Sequence, residues 1–274
     1  MVARMTMTAT QPVGDLLREW RQRRRLSQFD LACDADVSTK HLSFVESGRS
    51  RPSRDMVLHL AERLEVPLRE RNVLLVAAGF APVFGERKMT DPALGAQREA
   101  IELVLKGHEP YPALAVDRHW TMVSANSIVP LLLADIDAAL LQPPVNVLRI
   151  SLHPNGIAPR IVNYTQWRAH LLERLRQQVE VSADPTLGEL LWELRGYPAP
   201  LRPANTQPAR DGRAADSVVV PLQMKTDADV LSFFSTTTVF GTPVDITLSE
   251  LAIEAFYPAD TATGDALRAI AARA

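Results

Sequence analysis

Residues 26–53, LSQFDLACDADVSTKHLSFVESGRSRPS, hold the pattern that decides the fold of the first part of the chain. They predict two short helices joined by a tight turn, because Ser27 and Ser38 are each placed to cap a helix. In the second helix Leu42 and Val45 point inward. The opposite face carries polar and aromatic residues at helical spacing: Lys40, Ser43, Phe44 and Ser47. A helix presented in this way can enter the major groove of DNA.

The same stretch resembles the helix-turn-helix of the XRE family of bacterial and phage regulators, whose pattern LSQxxLAxxAxVSxxxLSxxExGRxxPS it matches throughout. One position departs from that family, since Asp36 stands in the turn where glycine is usual. Asp tolerates the left-handed conformation better than most residues, so we expect the turn to form with some strain. The resemblance implies a phosphate contact for Gln28, base contacts for Thr39, Lys40 and Phe44, and positions nearer the DNA backbone for His41 and Ser43.

Three arginines crowd the loop after the second helix. We expect Arg49, Arg51 and Arg54 to grip the DNA backbone, with simple solvation as the alternative. The predicted DNA-contacting set is therefore Gln28, Ser38, Thr39, Lys40, His41, Ser43, Phe44, Arg49, Arg51 and Arg54.

The surrounding sequence predicts an all-α, lambda-repressor-like domain of five helices over residues 12–80. A helix over residues 13–25 precedes the motif and ends in RQRRR, which is either a solvated helix end or a further phosphate contact. Helices over residues 53–64 and 67–78 follow, the second opened by Pro67 and closed by Gly79. Residues 1–11 are predicted to be a disordered tail and 81–91 a linker.

Composition agrees with two globular domains. The 274 residues are 46% hydrophobic and 23% charged, with a net charge of -2. Residues 1–80 hold 13 Lys and Arg against 10 Asp and Glu, giving +3, while the rest hold 17 against 22, giving -5. The basic excess lies with the predicted DNA reader. A lone cysteine, Cys33, excludes an internal disulfide, and we expect a cytoplasmic protein without membrane segments.

The C-terminal part, residues 92–274, is predicted to be an α+β domain. It begins with a helix over residues 92–106, and ALAVDRHWTMVSAN (113–126) predicts a hairpin. Further helices are expected over 161–181 and 185–194, with a proline-rich loop over 198–212. We expect an antiparallel sheet with helices on one face. Four later stretches have strand composition: residues 145–153, 217–225, 230–240 and 244–257.

Four strings in this part resemble the MmyB-like ligand-binding domain that follows an XRE reader in many regulators: GHEPYPALAVDRHWTMVSAN, NVLRISLHPNG, RIVNYTQW and FGTPVDITLSELAIEAFYPAD. The resemblance implies a PAS-like fold that holds a small hydrophobic ligand, with fatty acids as the leading candidates.

A fatty-acid site needs an apolar tunnel and a polar partner for the carboxylate. Arg149 and His153 lie at even spacing in a predicted strand, so they would share one side, either as the polar end of the site or as a structural pair. Asn126 and Asn163 are expected to cap helices. The candidates for the apolar lining, with plain core packing as the alternative for each, are Trp120, Phe233, Phe234, Phe240, Phe256 and Tyr257.

These patterns predict a ligand-responsive transcription regulator that binds a palindromic site as a homodimer. One alternative is a second domain that serves only in dimerisation or partner docking, and it predicts a solid core. The other is an enzyme tethered to DNA. Enzymatic chemistry has little support, because GxSxG, HExxH, GxGxxG and P-loop motifs are absent and the histidines lack close metal-ligand spacing. We expect no cofactor or metal.

Overall fold

A computed structural model describes residues 11–200, 220–226, 229–240 and 245–273. The main division of the chain falls between Glu86 and Arg87, inside the predicted linker, and separates an N-terminal from a C-terminal unit. Apart from Gln11, the predicted disordered tail lies outside the described residues, and so do residues 201–212 of the predicted proline-rich loop.

The described residues of the N-terminal unit form five helices, as predicted: α1 (Val13–Arg23), α2 (Gln28–Asp34), α3 (Thr39–Glu46), α4 (Arg54–Arg63) and α5 (Leu68–Ala77). Serine side chains open three of them, because the hydroxyls of Ser27, Ser38 and Ser53 each accept a bond from the backbone N–H three residues later, at 3.1 to 3.2 Å. Asp30 bonds back to the N–H of Ser27 at 2.9 Å and completes a capping box. The predicted caps at Ser27 and Ser38 are confirmed.

Each of these five helices ends in the same backbone reversal. The N–H two residues past the C-cap bonds to a carbonyl five residues back, as from Val37 to Ala32 at 2.9 Å, which is the Schellman motif. Asp36 adopts a φ of 50°, which confirms the prediction for the turn. The residue just past each C-cap is left-handed: Arg25, Asp36, Gly48, Glu65 and Gly79.

Helices α1 and α3 meet backbone to backbone at Gly14. A Cβ at this position would lie 2.5 Å from the carbonyl oxygen of Val45 and 2.8 Å from that of Glu46. Only glycine permits so close an approach, and the contact fixes the C-terminal end of α3 against α1.

Beyond Arg87 the described residues form seven α-helices: α6 (Gly95–Gly107), α7 (Ile128–Leu132), α8 (Val147–Leu152), α9 (Tyr164–Ser182), α10 (Pro185–Gly196), α11 (Ile246–Ser249) and α12 (Thr261–Ala271). They also form five strands: β1 (Ala113–Val116), β2 (Met122–Ala125), β3 (Leu222–Lys225), β4 (Val230–Val239) and β5 (Ala252–Pro258). The strands make one antiparallel sheet in the order β2-β1-β5-β4-β3. The predicted hairpin is β1 and β2, and the α+β, PAS-like class is confirmed.

The two faces of the sheet pack against different helices. Along β5, Glu254 and Phe256 face one side while Ile253 and Ala255 face the other. Helix α6 covers part of the second side, where its Ile101 packs in one cluster with Ile253 and Ala255. Helices α8, α9 and α10 contribute to the larger core on the opposite side. The prediction of helices on only one face is therefore wrong.

Two stretches predicted as strands are helical. LRISL lies in α8, because the Asn146 side chain accepts bonds from the N–H groups of Leu148 and Arg149, both at 3.1 Å, and so caps a helix there. Residues 246–249 form α11 before β5 begins. Helix α12 was not predicted. None of the described helices combines the length and the apolar character that a membrane crossing requires.

Candidate DNA-binding face and ligand-binding cavity

Two cations, one on α3 and one in the loop that follows it, lie beside an aromatic ring on the exposed face of this helix. Lys40 is exposed in the first turn, and its Nζ lies 5.7 Å from the ring centroid of Phe44. The guanidinium carbon of Arg49 lies 5.8 Å from the same centroid. This arrangement places positive charge and an apolar ring side by side, which suits a groove lined by phosphates and thymine methyl groups. Ser38 and Thr39 are also exposed, while His41 and Ser43 are half-buried.

A buried ion pair anchors the other side of α3. The Glu46 side chain is fully buried, and Arg21 donates to both of its oxygens at 2.7 and 2.8 Å. Arg18 donates to the backbone carbonyl of Glu46 at 2.6 Å, and Gln28 donates to its carboxylate at 2.8 Å. Burial alone would raise the pKa of Glu46, but the hydrogen bonds from Arg21 and Gln28 and the charges of Arg21 and Arg18 lower it below its ordinary value.

The hydrogen bonds around Glu46 separate Gln28, which is held within the domain, from the exposed residues of the predicted DNA-contacting set. Gln28 is half-buried and bonded to Glu46 in this structure, so it links α2 to α3. The RQRRR run also divides, because Arg21 belongs to the buried pair and Arg24 donates to the carbonyl of Leu64 at 2.9 Å. Solvent-exposed cations on this unit include Arg49, Arg51 and Arg54 of the predicted set.

The C-terminal unit forms a partly open cavity of about 110 Å³ beneath the face of its sheet that carries Glu254 and Phe256. Its walls come from all five strands and from helices α7, α8 and α9. Most of the lining is apolar: Pro112, Leu114, Trp120, Met122, Val129, Leu132, Leu133, Val147, Leu148, Ile150, Ile157, Trp167, Leu171, Leu222, Met224, Phe233 and Phe256. The polar lining residues are Ser151, Arg174, Ser235 and Glu254.

One ion pair dominates the polar part of the wall. Arg174 of α9 donates to both oxygens of Glu254 on β5, at 2.6 and 3.0 Å. Thr237, opposite Glu254 on β4, donates to the same carboxylate at 2.9 Å and accepts from Arg174 at 2.6 Å. The guanidinium lies over the ring of Trp120, 4.6 Å from its centroid. The Glu254 side chain is only 6% exposed and that of Arg174 is 29% exposed, so the carboxylate is the better shielded partner.

Hydrogen bonds hold the two tryptophans of the wall in place. Trp120 donates to Gln178 at 2.8 Å, and Trp167 donates to the hydroxyl of Ser151 at 2.9 Å. His170 lies beside Trp167, with ring centroids 5.6 Å apart. Burial, followed by the charge of Arg174, lowers the pKa of His170 below its ordinary value, and the opposing effect of Glu254 is smaller. A neutral imidazole therefore flanks the ion pair at physiological pH.

Three of the six aromatic candidates line the cavity, and strand alternation turns two of the others away from it. Trp120, Phe233 and Phe256 line the cavity. Phe234 and Tyr257 do not, since each directly follows a lining residue and points to the opposite face, where their rings stack at 5.2 Å. Phe240 packs with the core under α6. The prediction that Phe234 and Tyr257 line the ligand site does not hold for this cavity.

Arg149 and His153 also lie outside the lining. They share no strand face, because residues 147–152 are helical and His153 is the C-cap. Arg149 donates to both oxygens of Glu193 on α10, at 2.7 and 2.9 Å, and the ring of His153 packs edge-on against Tyr197 with centroids 5.0 Å apart. These contacts fit the alternative that both side chains serve only the structure. The argument for placing them at the polar end of the site required a shared strand face, which does not exist.

The two asparagines predicted as caps have other partners. Asn126 is buried and bonds to the backbone at Leu105, Tyr111 and Ala113. Asn163 precedes α9 but makes no side-chain cap; it donates to the carbonyl of Pro221 and accepts from the N–H of Gln223. Sequence reasoning missed Arg174 and Glu254, because they are 80 residues apart and only the fold brings them together.

Two family models match the chain. The model described as the MmyB-like transcription regulator ligand binding domain matches residues 97–270, and the model described as a helix-turn-helix domain matches residues 12–74. The first match covers more than half of the 274 residues. A search among curated proteins found no match. The predicted succession of a helix-turn-helix and an MmyB-like domain is confirmed.

Proposed function

The chain belongs to the MmyB-like transcription regulators, which join a DNA-binding helix-turn-helix to a ligand-binding domain, and from this premise we propose that its ligand is a small, largely apolar molecule held in the cavity of the C-terminal unit. Occupancy of that cavity alters transcription through the DNA affinity of the N-terminal unit.

The observation that carries this proposal is the lining of the cavity. Ligand sites are typically apolar clefts with a few placed polar groups, and this wall is apolar except for two serines and the Arg174–Glu254 pair. A domain that served only in dimerisation would predict a solid core, so the cavity favours a ligand. The cavity is smaller than the roughly 150 Å³ that holds benzene in a closed apolar site, but it is partly open, so a longer chain would fill it and extend through its mouth.

The sequence resemblance implies a fatty acid, whose apolar chain would lie against this lining. On the DNA side, we propose that a homodimer places two copies of α3 in successive major grooves of a palindromic operator, about 34 Å apart.

The test is a titration of medium-chain alcohols and fatty acids into the full chain, followed by the intrinsic tryptophan fluorescence, since Trp120 and Trp167 line the cavity. A saturable change is expected. The variant Val147→Phe places a phenyl ring in the lining and should abolish it. Val145→Phe is the matched control, because Val145 packs against the same core without lining the cavity. Absence of saturable binding, or equal binding by Val147→Phe, would contradict the proposal.

A further inference from the structure

Within the cavity wall, the carboxylate of Glu254 neutralises the guanidinium of Arg174. Both oxygens of Glu254 accept from Arg174, at 3.0 Å or less, and Thr237 bonds to the same carboxylate. Among the described residues that line the cavity, Arg174 is the only basic side chain and Glu254 the only acidic one. The formal charge of this wall is therefore zero before any ligand enters.

An anionic ligand would disturb this balance in either of two ways. If it shared Arg174 with Glu254, two carboxylates would lie close together in a poorly hydrated site, which raises the free energy of both. If it displaced Glu254, a buried carboxylate would lose its main partner. The nearby His170 does not supply a second cation, because burial and Arg174 lower its pKa.

A hydroxyl group does not create this conflict. It can accept a hydrogen bond from Arg174 and donate one to Glu254, while the rest of the ligand meets the apolar wall. We infer that the cavity selects apolar ligands whose polar end is uncharged, such as a long-chain alcohol, over the carboxylate of the same chain. This inference rests on the proposed function, because it requires that the ligand occupies this cavity.

The experiment compares 1-decanol with decanoate at pH 7.5 on the full chain, by tryptophan fluorescence and by calorimetry. We expect decanol to bind at least about tenfold more tightly, a factor equivalent to about 1.4 kcal/mol. Part of that preference reflects the hydration of free decanoate. Since hydration of the free ligand is the same for every variant, the change in the affinity ratio isolates the charge of the wall.

Glu254→Gln leaves the charge of Arg174 uncompensated, so the decanol-to-decanoate ratio should fall at least about tenfold. Ser235→Lys adds a second cation to the lining and should lower the ratio in the same direction, which keeps the test decisive if Glu254→Gln does not fold. Glu193→Gln is the matched control, because it removes the partner of Arg149 outside the cavity and should leave the ratio unchanged.

The possible failures are distinct. Decanoate binding as tightly as decanol to the natural chain, or a ratio unchanged in both Glu254→Gln and Ser235→Lys, overturns the head-group inference while the proposed function stands. Binding of neither compound overturns the proposed function, and this inference with it.

Discussion

Lys40 is the residue of α3 for which a direct test of base reading is simplest, since it is exposed and lies at the start of the helix. If it contacts a base edge, Lys40→Ala should cost about 1 to 3 kcal/mol on the operator and relax the preference at one base pair. Competition binding with operators mutated at single positions measures both effects. An equal loss on every sequence would show that Lys40 contacts only phosphate.

Arg51 should behave differently, because it is exposed in the loop between α3 and α4. As a phosphate contact it would give a uniform loss of affinity on Arg51→Ala, and the slope of log affinity against log salt would decrease in magnitude by about 1. Affinities measured at several salt concentrations give this slope. A slope identical to that of the natural chain would remove Arg51 from the interface.

Glu46 is expected to dominate the acid sensitivity of the N-terminal unit. Its pKa is lowered in the folded state, so its contribution to stability is complete above the unfolded value of about 4.3 and is lost as pH falls through the lower folded value. At pH 7, Glu46→Gln should destabilise the unit by about 3 to 5 kcal/mol, because Arg21 stays buried without its anion. Denaturant unfolding from pH 7 to pH 2 measures this difference.

The difference between Glu46→Gln and the natural chain should shrink as pH falls below about 4.3, where the carboxyl of the unfolded chain gains a proton, and should be smallest below the lower folded pKa. Asp15→Asn is the control, since it alters an exposed pair with Arg18 and should cost less than about 1 kcal/mol. A difference that stayed constant with pH would mean that the role of Glu46 is not electrostatic.

At the scale of elements, the left-handed helix ends suggest a route to higher stability. Arg25, Asp36 and Glu65 occupy positions that glycine adopts without steric cost. Replacing each by glycine should stabilise the N-terminal unit by about 0.5 to 1 kcal/mol, after the entropy of glycine in the unfolded chain is subtracted. Chemical denaturation measures it. Ser47→Gly is the control, because Ser47 has a φ of -89° and should gain nothing.

The sequence predicts correctly whether an element is a helix or a strand where the element is long or begins at a capping serine. The prediction is wrong for the short helix α8. The serine caps at 27 and 38 and the hairpin of β1 and β2 follow from local chemistry. In α8 the sequence alternates as a strand does, but Ile150, Ser151 and Leu152 are all buried, so apolar periodicity carries no information about the helix there. The Asn146 cap was the overlooked signal.

The site was less predictable than the fold because it depends on strand register. Phe233 and Phe234 are adjacent, and composition alone does not tell which faces the cavity. Arg174 is one arginine among several on α9, and its role becomes visible only when β5 places Glu254 opposite Thr237. Recognition of the family supplied the presence of a ligand site but none of its residues.

For the whole molecule, regulation requires a measurable coupling between cavity and operator. If 1-decanol acts as an effector, saturating it should change operator affinity by about 5- to 150-fold, and operator DNA must change decanol affinity by the same factor. Two titrations, one in each direction, test this equality, with Val147→Phe as the unresponsive control. Decanol binding without any change in operator affinity would mean that the cavity does not control the DNA reader.

The contact at Gly14 has an evolutionary consequence. It joins α1 to the backbone carbonyls of Val45 and Glu46 and involves no side chain of the exposed face of α3. Substitutions at Thr39, Lys40 or Phe44 can thus accumulate without refitting the helix to its support. If these three residues read bases, a duplicated gene would acquire a new operator through a few such exchanges while position 14 stayed fixed, and target sites would diverge faster than the scaffold that presents them.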